Sequence, residues 1–100
     1  MKLERVYDEV VDHLGGTHTP LATADDQRVV RQTIWYIRRP LEADPAFWRS
    51  FSESADEHQL GVFDGTLNQL QVRGYVKTKD QRERAETLRL ARDQVRARLK

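Results

Sequence analysis

An all-α fold is what this sequence predicts, with about five helices, a long C-terminal helix and at most a vestigial pair of strands. Three observations carry it. Apolar residues recur at threes and fours in successive segments, the period that puts them on one face of a helix. Glycine and proline stand between those segments, at Gly15-Gly16, Pro40, Gly61 and Gly74. Extended character is confined to the short run Tyr75-Val76-Lys77-Thr78.

From Leu3 to Leu14 the apolar positions are Leu3, Val6, Tyr7, Val10, Val11 and Leu14, leaving Asp8, Glu9 and Asp12 for water. Gly15-Gly16 stops this first helix, because glycine enters the left-handed conformation at little cost. A short connection containing Pro20 leads to a second helix that starts at Thr23, whose hydroxyl can cap it while Asp25 and Asp26 sit against the positive helix end. Pro40 terminates it. This second helix has two strong faces. Val29, Val30, Thr33, Ile34 and Ile37 form one; Arg28, Arg31, Trp35, Arg38 and Arg39 form the other.

Asp44-Pro45 supplies the N-cap and first residue of a third helix over about residues 45–58, with Phe47, Trp48, Phe51 and Ala55 inward and His58 beside them. Leu60-Gly61 breaks that pattern. A fourth helix is expected from Asp64 or Thr66, with Phe63, Leu67 and Leu70 inward, ending at Gly74. The expected core comprises Val30, Ile34, Ile37, Phe47, Trp48, Phe51, Phe63, Leu67 and Leu70. From Asp80 to Lys100 every local preference is helical, and Ala85, Leu88, Ala91, Val95 and Leu99 form a narrow stripe that suits a seam against one partner helix. Leu88, Ala91, Val95 and Leu99 are therefore the expected interface of a homodimer.

One hundred residues make a single domain of ordinary size, 1–100, divided into a core over 1–78 and a basic C-terminal helix over 79–100. The net charge of +1 is unevenly spread: residues 1–78 hold 9 basic against 12 acidic side chains, and residues 79–100 hold 8 against 4. There is no cysteine, which removes disulfides, thiolate nucleophiles and Cys-ligated zinc, and fits a reducing compartment such as the cytosol. The acidic start, with Glu4, Asp8 and Glu9, is unlike a signal peptide, and no run approaches the roughly 18 apolar residues of a membrane span.

Catalytic chemistry finds no foothold. His13, His18 and His58 form no ligand set, Gly15-Gly16-Thr17 lacks the ending of a phosphate-cradling loop, and Asp25-Asp26 and Asp56-Glu57 are adjacent pairs that point to different sides of a helix. No nucleophile has a base placed to activate it. The expectation is a non-enzymatic protein without cofactor or metal.

The third helix, Gly61 and the fourth helix resemble a helix-turn-helix, with Leu60 and Val62 flanking the turn and Leu67 and Leu70 inward; Asp56 and Glu57 stand where that motif has an apolar and a small residue. Gly65-Thr66-Leu67 followed by Arg73-Gly74-Tyr75-Val76 is similar to winged-helix regulators of the PadR kind, over about residues 45–90, with a spacing about one helical turn shorter. The resemblance implies a helix-turn-helix-like tri-helical core and a DNA-binding regulator, dimeric through its last helix. Its DNA-binding residues would be Thr66, Asn68, Gln69, Gln71, Arg73, Lys77, Lys79 and Arg82, since Asn, Gln and Arg can read base edges and Lys and Arg can hold phosphates. The alternative is an adaptor or inhibitor that binds a protein partner through the C-terminal helix or through Arg28, Arg31, Trp35, Arg38 and Arg39. On that face four guanidinium groups surround an indole that either stacks on a ligand ring or lies under another element with the arginine stems packed over it.

Overall fold

The computed structural model of the chain describes residues 3–15 and 24–100. The expected cap at Thr23, the stop at Gly16, the connection 17–21 and His18 lie outside the described residues, as do the side chains of Leu3, His13 and Leu14. Five α-helices follow one another: α1 (Leu3–Gly15), α2 (Ala24–Arg38), α3 (Pro45–Ser54), α4 (Glu57–Val72) and α5 (Lys79–Leu99), with a single 3₁₀ turn, Pro40–Glu42, between α2 and α3. Among the described residues no strand forms, and the stretch after Gly74 is an irregular link that leads into α5.

α2 is the central element, packed against α4, α1 and α5, while α4 also touches α1 and α5 and α3 leans on α5. Its expected apolar face is buried: Val29, Val30, Thr33, Ile34 and Ile37 are all at most 1% exposed. Val6 and Val10 of α1 meet it from one side, and Phe51, Ala55, Val62, Phe63, Leu67, Leu70, Tyr75, Ala85, Leu88 and Val95 complete a single core. Two threonines can lie in that core because each satisfies its hydroxyl within its own helix, Thr33 donating to the Val29 carbonyl and Thr66 to the Val62 carbonyl, both at 2.7 Å. Phe47 and Trp48, expected inside, are instead half-buried and packed against the core from its rim.

The boundary between α3 and α4 differs from the expected one. α3 ends at Ser54, Ala55 is extended, and α4 begins at once, capped by Asp56. The Asp56 carboxylate accepts from the Gln59 amide at 2.8 Å while the Gln59 side chain accepts from the Asp56 amide at 3.1 Å, a reciprocal capping box. Gly61 is therefore no turn. It lies within α4 on an exposed face, where a glycine costs a helix only about 1 kcal/mol, less than the cap and the burial of Val62 and Phe63 return. With no break at Gly61, the turn expected between the two helices of a helix-turn-helix is absent at that position.

Gly74 does end α4, with φ +79. The Tyr75 amide donates to the Leu70 carbonyl at 2.8 Å and the Gly74 amide to the Gln71 carbonyl at 3.1 Å, the paired bonds of a Schellman cap. Thr78 then opens α5 through a second capping box with Gln81.

α5 folds back along its own chain. Leu88 and Val95 are 2% and 0% exposed within one protomer, and Leu99 is half-buried against the core, so the stripe is spent on α2, α3 and α4. A seam between subunits through Leu88 and Val95 is thereby corrected to an intramolecular one. Arginines on α5 also cap other helices. Arg84 donates through Nε and Nη2 to the Ile37 carbonyl at 2.9 and 2.7 Å, at the end of α2. Arg98 donates to the Ser52 and Ala55 carbonyls at 3.2 and 2.6 Å, at the end of α3. Ile37 and Ser52 stand in the last turns of their helices, where carbonyls carry the negative end of the helix dipole, and Ala55 is the residue that follows α3, so a guanidinium suits all three. No helix among the described residues is long and apolar enough to cross a membrane.

Candidate protein-binding site

Two prolines shape the link between α2 and α3. Pro40 cannot extend α2 and instead starts the 3₁₀ turn, and Pro45 occupies the first position of α3, where its missing N–H is no loss. Between them Asp44 is held three ways. Its amide donates to the Gln32 side chain at 2.9 Å, its carboxylate accepts from the Ala46 amide at 2.9 Å, and the same carboxylate pairs with Arg28 at 3.2 Å. The link is a fixed ledge on α2.

Tyr36, Pro40, Ala43, Pro45, Trp48 and Arg84 enclose a pocket of about 350 Å³ on this ledge, with walls that are mainly apolar. Tyr36 and Trp48 meet edge to face, ring centroids 5.7 Å apart at 69°. Trp48 is backed by Phe47, Phe51 and Phe63 at 5.0, 5.7 and 5.4 Å, so its wall rests on the core. Its indole nitrogen is buried and has no hydrogen-bond partner among the described residues. Between the pocket-lining Pro40 and Ala43 stands Leu41, which is 100% exposed. A single exposed apolar side chain is ordinary on a protein surface, but next in sequence to residues that line an apolar hollow it adds to a surface a partner can cover.

The arginines expected to form one face of α2 are dispersed. Arg28 turns to Asp44 and lies 5.4 Å from the Phe47 ring, Arg31 sits 4.0 Å over Tyr7 of α1, and Arg39 pairs with Glu42 at 3.3 Å. Arg38 donates to the Tyr75 carbonyl and covers its ring at 5.6 Å. Trp35, one turn from both Arg31 and Arg38, is half-buried. These cations serve the packing of α2 against its neighbours, with Arg28 and Arg39 reaching the ledge through Asp44 and Glu42.

Of the residues expected to read DNA, Gln71 and Arg82 line one hollow together with Val76, Glu86 and Arg89, and two others are turned inward. Thr66 is 0% and Gln69 6% exposed, both turned into the protein, which removes them from that role. Gln71 accepts from Arg89, and Arg73 donates to Gln69 at 2.9 Å and lies 3.9 Å from Glu9. Arg82 donates to the Lys77 carbonyl at 2.7 Å, and Lys79 faces Glu83 at 3.9 Å. Asn68 is exposed on α4. The basic surplus of the last helix is similarly answered, with Arg92 and Arg96 at 2.9 and 3.8 Å from Asp64. Of the expected dimer residues, Ala91 and Leu99 are half-exposed and Leu88 and Val95 are inaccessible.

Two titratable pairs stand out elsewhere. His58, expected at the edge of the core, is exposed in the first turn of α4 and bonds through Nε2 to the buried carboxylate of Asp26 at 2.8 Å. That bond raises the imidazole pKa above its ordinary value, against a smaller effect of desolvation. Tyr75 donates its hydroxyl to Glu9, which lowers the Glu9 pKa and raises that of the phenol. The hydroxyls of Thr33, Ser52, Ser54, Thr66 and Thr87 are each spent on the carbonyl four residues back. Among the described residues no group of three or more His, Cys, Asp or Glu could hold a metal ion.

The ledge was not legible in the sequence as a site, because Trp48 has the spacing of a core residue and the pocket exists only once α5 brings Arg84 to the end of α2. The local sign of it is Pro40-Leu41, an apolar residue in a turn bracketed by prolines. No protein-family model, curated protein or solved structure matches the chain.

Proposed function

We propose that this chain is a non-enzymatic protein-binding domain that docks its partner on the ledge formed by the end of α2, the Pro40–Glu42 turn and the start of α3. The reading is carried by one observation, the apolar pocket between Tyr36 and Trp48 with Leu41 wholly exposed beside it. Interface hot spots are rich in Trp, Tyr and Arg, the residue types that wall this pocket. The two prolines and the clamp on Asp44 hold the ledge in advance, so binding sacrifices little conformational freedom there.

Recognition of DNA has less support. Affinity for a duplex comes largely from uncompensated Lys and Arg along one surface. Here the arginines of α5 are engaged by carbonyls and carboxylates, and two of the polar residues on α4 face inward.

The test is selection from a phage-displayed random-peptide library on the folded chain, with Tyr36→Glu as counter-screen. Peptides bearing a bulky apolar residue are expected to be enriched on the wild type and lost on the variant, whose folding is checked by its melting curve. Failure to enrich any sequence would overturn the proposal. A gel shift of random duplexes at low salt and micromolar protein would revive the DNA reading.

A further inference from the structure

We infer that the occupant of the pocket is a second copy of this chain, with each Leu41 entering the pocket of the other about a two-fold axis. This rests on the protein-binding reading above and names its partner. The first argument is placement. Leu41 follows the pocket-lining Pro40 directly and precedes Ala43 by two residues, yet it is fully exposed and fills none of its own pocket. A knob far from a complementary hollow produces head-to-tail chains, whereas a knob beside its hollow can close as a pair, each subunit giving and receiving the same contact. Here the two share one rigid ledge.

Charge points the same way. Arg39 and Glu42 flank Leu41, 60% and 49% exposed, and pair weakly with each other at 3.3 Å. An acidic or a basic partner would find one repelling group next to the pocket. A second copy related by a two-fold axis finds neither, since the Arg39 of each subunit can face Glu42 of the other. Arg84, the remaining cation on the pocket wall, is already engaged by the Ile37 carbonyl. Size agrees as well: about 350 Å³ lies near the lower end of the roughly 300–1,000 Å³ of ligand pockets, enough for a side-chain anchor. An interface built around one such anchor pair belongs to the small, reversible class.

Sedimentation velocity of the full chain tests this, over concentrations from about 5 to about 500 µM, a range suited to a small interface. The wild type is expected to pass from monomer to dimer, and Leu41→Glu to raise the dissociation constant by about tenfold or more. Because Leu41 touches nothing in its own subunit, the variant should melt like the wild type. Arg39→Glu and Glu42→Arg should each weaken self-association, while an equimolar mixture of the two dimerises as a heteropair, which a contact within one chain cannot produce. A wild type that stays monomeric, a dimer indifferent to Leu41→Glu, or a mixture that fails to pair would each overturn the inference. Peptides selected on the pocket of a monomeric wild type would leave the protein-binding reading standing, with a different partner.

Discussion

Arg98, in the last turn of α5, donates to the Ala55 carbonyl at 2.6 Å and to the Ser52 carbonyl at 3.2 Å, fastening the end of α5 to the end of α3. Hydrogen bonds from a charged donor contribute about 1.5–3 kcal/mol, and less where water competes. Arg98 is exposed, so Arg98→Met, which keeps the apolar stem, should cost about 1–2 kcal/mol in urea denaturation. A change of only a few tenths would mean that α3 is held by its aromatic contacts alone.

His58 and Asp26 make stability depend on pH in a stated direction. The bond to Asp26 raises the folded pKa of His58 above its ordinary value, near 6.5. A raised pKa in the folded state contributes stability that is fully present below the unfolded value and is lost as pH rises through the folded one. His58→Gln should therefore destabilise the protein more at about pH 5.5 than at about pH 9. The effect is modest, since His58 is half-exposed and solvent screens the pair. Equal losses at both pH values would show that the contact is not ionic.

Phe51 carries the aromatic cluster that supports the pocket. It is 5% exposed and its ring lies 5.6, 5.7 and 5.2 Å from Phe47, Trp48 and Phe63. Phe51→Ala should cost about 3–5 kcal/mol. A melting curve like that of the wild type would place α3 wrongly in the core.

The sequence made the helical architecture legible wherever a local signal had no competitor. Asp44-Pro45 at the start of α3 and Gly74 at the end of α4 each act within a turn of the chain, and both read correctly. At Gly61 two local signals compete, a glycine that interrupts the apolar pattern and the box Asp56-x-x-Gln59, and the box sets the boundary. Asp56 and Glu57, which depart from the helix-turn-helix pattern, are the N-cap and first residue of α4. The stripe on α5 was also legible, but not what it faces. The contacts that settle this, Arg84 to Ile37 and Arg98 to Ala55, span 47 and 43 residues of sequence, beyond any local pattern. The same distance hid the pocket, which needs Tyr36, Trp48 and Arg84 together.

The two glycines of α4 provide the sharpest test of its boundaries, because the same substitution should have opposite signs. Gly61 lies in an exposed helical position, and a methyl group added there would meet nothing within 4 Å. Alanine keeps the helix and reduces the freedom of the unfolded chain, so Gly61→Ala should stabilise by about 0.5–1 kcal/mol. Gly74 also has open space around it, but its φ is +79. An L-residue there places its Cβ against the following carbonyl, so Gly74→Ala should destabilise by about 1–2 kcal/mol. Urea denaturation of the two variants beside the wild type gives both numbers. If Gly61→Ala proved the destabilising one, the chain would bend at that position after all, and the helix-turn-helix arrangement would regain the turn it lacks.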